Sequence, residues 1–377
     1  SSISETRNRK IEHIDIVLSR RVRGPRTTWL EYVHLIHNPA PEIDFEEIDI
    51  STEFLGKRLS APIIITGMTG GHPKTLEINA SLAEIAERYG IGMGVGSQRA
   101  ALEDPSLART FSIVREKAPK TLIIANLGAA QIIGGYGLDK IMRAIEMLDA
   151  DAIAIHLNPA QESIQPEGEP SYRGLVKKIE ELVKSLNKPV MIKETGCGLS
   201  MESVGILRRA GVRYFDVSGS GGTNWILVEM YRAEMKGDRL KKYLAEDLSE
   251  WGIPTAASVI ETRYSAPDSF IIGSGGLRNG VDIAKVIALG ADIGGMAYPF
   301  LEAYFSRDID FFVRRVIHEI RAVLFLTGSR NLREFIHQPI VIRGSLRTWM
   351  KERSIRRDIY ENIRKTRRDY NARRGVI

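Results

Sequence analysis

A (β/α)8 barrel is the fold class this sequence predicts, and three observations carry it. From about residue 61, short apolar runs alternate with amphipathic stretches, the pattern of βα units on a parallel sheet. Eight such runs can be counted, at residues 62–66, 91–95, 121–126, 152–156, 189–193, 214–217, 269–273 and 293–297. No Rossmann fingerprint opens the first unit, which favours a closed barrel over an open doubly wound sheet.

Amphipathic segments at 76–89, 105–117, 138–148, 175–186 and 281–289 supply helices between the strands. The second has a start signal: Asp104 can cap it and Pro105 suits the first helical position. Residues 219–254 are far too long for a βα loop and predict an insertion or lid over the barrel mouth. Before the barrel lie 60 residues with a basic, partly helical stretch at 7–13. The chain therefore divides into an N-terminal extension (1–60), the barrel (61–330) and a basic helical C-terminal extension (331–377).

Composition excludes several classes. Of 377 residues, 43% are hydrophobic and 27% charged, ordinary for a globular protein. The single cysteine, Cys197, rules out an intramolecular disulfide or a multi-cysteine metal cluster and suits a reducing, cytoplasmic setting. No run approaches a membrane span, and no signal-peptide pattern is present, so no membrane partner is expected. The formal charge is +6, and residues 351–377 carry ten Lys/Arg against four Asp/Glu, the whole of that excess. The run Arg364-Lys365-Thr366-Arg367-Arg368 reads as a solvated helix face; without interleaved stacking aromatics it does not predict nucleic-acid binding.

Catalytic groups of a barrel come from the C-terminal ends of its strands. Residues two apart share a strand face. On the fourth strand Ala152 and Ala154 lead to His156 and Asn158; on the fifth Met191 leads to Lys193 and Thr195; on the third Leu122 and Ile124 lead to Asn126. Three polar ends in register are hard to explain as structure alone. The following loops are rich in glycine, at 66–71, 96–99, 218–224 and 273–278. Glycine lets backbone N–H groups approach a ligand closely. Gly275-Gly276 with Arg278 falls after strand seven, where such barrels bind phosphate.

These stretches together resemble the type 2 isopentenyl diphosphate isomerase family. The match runs in order through Thr66-Gly67-Met68-Thr69-Gly70-Gly71, Gly94-Val95-Gly96-Ser97-Gln98-Arg99 and Ala125-Asn126-Leu127-Gly128. It continues through His156-Leu157-Asn158-Pro159-Ala160-Gln161-Glu162, Gln165-Pro166-Glu167-Gly168, Lys193-Glu194 and Gly221-Gly222-Thr223-Asn224-Trp225. Trp251-Gly252-Ile253-Pro254-Thr255, Gly273-Ser274-Gly275-Gly276 and Gly294-Gly295-Met296-Ala297 close it. The blocks at 156–162 and 165–168 are the specific part. Cys197, Ser220 and Tyr298 depart from the family pattern; the bulk of Tyr298 falls near the flavin phosphate end.

The resemblance implies FMN and Mg2+, with interconversion of isopentenyl and dimethylallyl diphosphate and no net redox change. NADPH or NADH keeps the flavin reduced, and members assemble as homotetramers or homo-octamers. It implies FMN contacts at Thr66, Gly67, Met68, Ser97, Asn126, Lys193, Ser218, Thr223, Gly275, Gly276, Arg278 and Ala297. Arg9, Lys10, Ser97, Arg99, His156, Asn158 and Gln161 are implied for the isoprenoid diphosphate, so the N-terminal extension contributes to the substrate site. Gln161, Lys193 and His156 are the implied catalytic residues, and Glu162 the metal ligand. The alternative is an FMN-dependent oxidoreductase of the hydroxyacid-oxidase type, which needs a histidine base near the seventh strand. No histidine lies between His156 and His318.

Overall fold

The computed structural model describes residues 3–20, 22, 24–68 and 70–373. Thr69 of the first glycine loop and the side chains of Arg7 and Arg368 lie outside the described residues. Twelve strands occur among those described: β1 (Val33–Leu35), β2 (Thr52–Phe54), β3 (Lys57–Leu59), β4 (Ile63–Ile65), β5 (Gly92–Gly94), β6 (Ile123–Gly128), β7 (Ala152–His156), β8 (Val190–Lys193), β9 (Tyr214–Asp216), β10 (Phe270–Gly273), β11 (Ile293–Met296) and β12 (Ile340–Ile342).

Strands β4 to β11 close into a parallel barrel in sequence order, with β11 pairing back onto β4. The eight expected strands are all present, offset at their ends by a residue or two; β6 alone runs further, to Gly128. The small-then-polar pattern on the inward faces has its structural reason. Ala152, Ala154, Leu122, Ile124 and Met191 are buried and fill the barrel interior with Ile64, Ile272 and Ile293.

Below that layer the hairpin β2–β3 closes the barrel floor, driving Phe54 and Leu59 into the interior cluster. Its two-residue turn places Leu55 at φ 51 and Gly56 at φ 77, both left-handed, as a type I′ hairpin turn requires. Leucine is unusual there. Burying Phe54 contributes about 1.5–3 kcal/mol, which offsets a strain of about 1–3 kcal/mol.

One expected helix starts differently. Asp104 does accept a hydrogen bond from the Ser106 N–H (3.1 Å), but it caps a 3-10 turn, Pro105–Leu107, and the α-helix begins at Arg109–Lys117. The offset brings Thr110 under the first glycine loop, where its Oγ1 accepts from the Gly71 N–H at 2.9 Å.

α1 (Ile3–Ser19) lies across the barrel mouth; the 219–254 segment folds into α2 (Trp225–Met235) and α3 (Arg239–Asp247); α4 (Arg357–Arg373) ends the description. Asn224 caps α2 by accepting from the N–H groups of Ile226 and Leu227. α2 packs on α1 and on the short helix Pro159–Ile164. Ile16 and Val17 of α1 bury against Val228, with Trp225 and Tyr298 packed around them.

The C-terminal extension corrects the expectation of a solvated basic face. Arg364 and Arg367 of α4 are buried, at 0% and 1% exposure. Arg364 donates to the carbonyl oxygens of Ala288 (3.3 Å), Ile336 (3.1 Å) and Gln338 (3.0 Å), and Arg367 to those of Ile287 and Ala291. Several of these carbonyls end helix Gly280–Leu289, where a cation is favourable. The acceptors lie far away in sequence, so the run of basic residues could not disclose them. Among the described residues no helix is long and apolar enough to cross a membrane.

Candidate functional site

The barrel ladder sets polar groups side by side at the mouth. Gly128 pairs with His156, His156 with Lys193, and Lys193 with Asp216. Asn126 Nδ2 donates to the Val95 carbonyl (3.0 Å), which leaves its Oδ1 to accept from His156 Nδ1 at 2.7 Å. His156 is therefore the Nδ1–H tautomer, assigned from this network. Burial, helped by the charges of Lys193, Lys10 and Arg9, pushes its pKa down to about 3, so the ring is neutral.

The loop after β7 turns at once into helix Pro159–Ile164, because Pro159 suits the first helical position and Asn158 precedes it. Gln161 and Glu162 thus occupy the first turn, where the backbone dipole favours a carboxylate. Glu162 accepts from the Glu169 N–H (2.7 Å) and Asn158 Nδ2 (3.3 Å). Burial nevertheless raises its pKa, so it is a carboxylate short of positive charge. Among the described residues no group of three or more His, Cys, Asp or Glu could hold a metal by itself.

Cations descend from α1. Arg9, Lys10, His13, Ile14 and Val17 recur at helical spacing, and all five line one cavity of about 220 Å3 above the strand ends. Loss of solvent, reinforced by Arg9, lowers the Lys10 pKa to about 7. Arg9 approaches Glu167 only at 3.9 Å, and Arg99 is held by Glu103 at 2.9 Å.

Thr66, Gly67, Met68, Ser97, Arg99, Asn126, His156, Asn158, Gln161, Glu162, Lys193, Ser218, Thr223 and Ala297 all line the same cavity. Gly275, Gly276 and Arg278 do not; they line an adjoining annexe of about 80 Å3 that shares Thr66, Ser218, Thr223 and Ala297 with it. In the annexe Gly276 (φ 78) must be glycine, since a Cβ there would fall 2.7 Å from the Gly221 backbone. Tyr298 lies at the junction of the two, with the Arg278 guanidinium 5.6 Å from its ring centre.

Four residues were given no site role by the sequence reading: Glu229 and Arg232, which it did not name, and His13 and Trp225, which it named only as part of longer stretches. Glu229, fully buried on α2, accepts from His13 Nε2 (2.8 Å), Gln161 Nε2 (3.1 Å) and Arg232 Nη1 (2.7 Å). Burial works against its ionisation, but His13, Arg232 and Gln161 hold its pKa at about 2. Burial in turn lowers the His13 pKa, against the pull of Glu229. The Gln161 amide is consequently oriented at both ends, with its Oε1 accepting from Asn158 Nδ2 at 3.3 Å. The available signal was helical spacing: Trp225, Glu229 and Arg232 stand four and three apart on one face of α2.

No protein-family model matches the chain. It is 52% identical over 353 residues to the isopentenyl-diphosphate delta-isomerase of Ignicoccus hospitalis, covering 93% of this chain and 98% of that one. It is 49% identical over 362 residues to the enzyme of the same name from Metallosphaera sedula, covering 95% and 98% of the two chains. A mandelate oxidase variant solved with a monooxide FMN adduct shares the fold, with a TM-score of 0.62 at 14% identity over 91% of this chain and 100% of the other. At that identity the likeness speaks for the barrel alone. Identity near one half, sustained over almost the full length, is decisive: the chain belongs to the isopentenyl-diphosphate delta-isomerases, and its closed barrel fits the type 2 branch that the sequence motifs resemble.

Proposed function

We propose that the isomerase interconverts isopentenyl and dimethylallyl diphosphate beside a reduced FMN, with Mg2+ holding the diphosphate. One observation carries the reading. A cation-walled cavity and a glycine-lined annexe adjoin over the C-terminal end of the barrel and share Thr66, Ser218, Thr223 and Ala297.

The residues fit FMN. Gly275, Gly276 and Arg278 would take its phosphate, and Thr66, Gly67, Met68, Ser97, Asn126, Ser218, Thr223 and Ala297 would border the remainder. Gly67 has no room for a side chain, because a Cβ would fall 2.1 Å from the Val95 carbonyl oxygen. Lys193 is buried, and its ammonium makes no hydrogen bond to the described residues, which suits a cation awaiting an anionic ring. Bound and reduced, FMN supplies an electron-rich face and a ring nitrogen able to carry a proton.

The protein's own groups do the positioning. Arg9, Lys10 and Arg99 attract the diphosphate, and Asn158 adds a hydrogen bond. His156, held by Asn126, lines the same cavity beside Asn158 and would contact the diphosphate. Glu162 is the residue that would hold Mg2+, a hard cation that would help neutralise the diphosphate. Gln161, locked by Glu229 and Asn158, faces the reacting carbons. Ile14, Val17, Trp225 and Leu301 line the same cavity and keep water from the alkene. NADPH serves only to reduce the flavin. A cytoplasmic homotetramer or homo-octamer completes the proposal, with the 1–60 extension lending Arg9 and Lys10 to the substrate site.

Anaerobic turnover of isopentenyl diphosphate with FMN, Mg2+ and NADPH, each omitted in turn, tests it. Dimethylallyl diphosphate should form only with flavin and metal, and without stoichiometric NADPH oxidation. Metal-independent product would refute the Glu162 assignment. No product from a protein holding reduced flavin would refute the cofactor chemistry.

A further inference from the structure

Asp216 ends β9 with its carboxyl inside the barrel, 3% exposed, and the isomerisation makes no use of it. Its surroundings are those of an anion. The Ser274 hydroxyl donates to Oδ1 at 2.5 Å, and the Ser218 backbone N–H also favours the charged form. Burial pushes the other way and raises its pKa; Lys193 is foremost among the groups that oppose the rise.

Lys193 is its neighbour across the ladder from β8. A cavity of about 20 Å3 beneath the main site is lined by both residues, together with Asn126 and Thr66. That is room for a single water; most of the lining is apolar (Ile64, Val95, Ile124, Met191 and Ile272), so its polar partners would be Lys193 and Asp216. The other groups around Lys193 are committed elsewhere. Glu194 turns its carboxylate onto the N–H groups of Thr195 (2.6 Å) and Cys197 (3.2 Å). His156, on β7, is neutral and bound to Asn126. Asp216 is thus the carboxylate placed to balance Lys193.

We propose that Asp216 is the counter-ion of Lys193, a positioning residue that holds the ammonium charged and aimed at the flavin ring, through one water in the cavity between them. Ser274 anchors the carboxyl, and because it precedes Gly275-Gly276 it ties the phosphate-binding loop to the ring-binding lysine. The inference rests on the FMN reading above.

Asp216→Asn keeps the shape and removes the charge. FMN affinity is measured by flavin fluorescence from roughly pH 6 to 9, with protein fold checked by circular dichroism. Lys10 and Glu194 both titrate near about pH 7, so each variant is read as its ratio to the native protein at every pH. Without the adjacent anion the ammonium is less well held in its charged form, so the variant should lose about tenfold in affinity relative to the native protein towards the alkaline end. In a Lys193→Met background the same change should cost less than about twofold, since its effect passes through Lys193. A variant profile parallel to the native one, as a protonated Asp216 would give, overturns the proposal. So does an equal loss in the Lys193→Met background, the mark of a merely structural role. Should Asp216→Asn fail to fold, Ser274→Ala leaves the carboxyl unanchored; it should show the same alkaline loss in smaller degree, and an unchanged profile overturns the idea. A native protein that binds no FMN at any pH would refute the proposed function instead.

Discussion

Two basic helices bracket this chain, and they put the same chemistry to opposite uses. At the C-terminal end, Arg364 and Arg367 of α4 are buried against carbonyl oxygens that end other elements. At the N-terminal end, Arg9 and Lys10 of α1 face a cavity, with one carboxylate at 3.9 Å from Arg9 and none near enough to hold Lys10 at its ordinary pKa. The first pair has its acceptors built in. The second is short of them, which is costly unless a ligand provides what the protein does not. What separates a structural cation from a binding one is therefore the set of acceptors facing it, not its position in a basic run.

Removing one member from each end should separate stability from binding. Arg364→Met leaves carbonyls of Ile336 and Gln338 buried without a donor, and should destabilise the fold by about 3–5 kcal/mol. Thermal unfolding would show it, while the Michaelis constant of the surviving enzyme at low temperature stays near native. Lys10→Met should do the reverse. Its Michaelis constant for isopentenyl diphosphate should rise roughly 10–100-fold, the worth of a charge-assisted bond, with no fall in unfolding temperature. A variant that lost both together would erase the distinction.

A smaller effect follows from pH. Lys10 in the free enzyme titrates near about 7. A bound anion raises that value, so binding takes up a proton whenever pH exceeds it. Affinity for the diphosphate should be level below about pH 7 and decline above it, by at most about tenfold per unit from this group. Calorimetry in buffers of different ionisation enthalpy would detect the proton uptake; none at pH 8 would contradict it. The smallest expected difference concerns salt. Raising ionic strength to about 0.5 M should weaken substrate binding a few-fold while scarcely moving the unfolding temperature set by α4, whose buried contacts are little screened.

The same contrast explains what could be read from the sequence. Barrel strands announce themselves locally: Ala152-x-Ala154-x-His156 and Met191-x-Lys193 display inward packing and a polar end within five residues. The glycine loops do so too, because close backbone approach demands glycine wherever it occurs. The environment of Arg364 was not legible, since its acceptors come from residues near 288 and 337. Glu229 was missed for the same reason: its partners His13 and Gln161 sit on two other segments. The 3-10 turn after Asp104 lay between these cases, with its cap visible and its length decided by Thr110 beneath the first loop. Local pattern reveals elements and strand ends, whereas the pairing of buried charges is settled only by tertiary neighbours.

The ladder between β1 and β12 has a temporal consequence. Val33 pairs with Ile342, and the barrel itself closes only when β11 reaches β4. Contacts between such distant stretches slow folding, because the intervening chain must be ordered before they form. During synthesis β1 emerges before the barrel yet waits until after it for its partner strand. The stretch around β1 is thus among the last parts of the molecule to take shape, and a nascent chain that has not yet reached β12 would leave β1 without its partner strand.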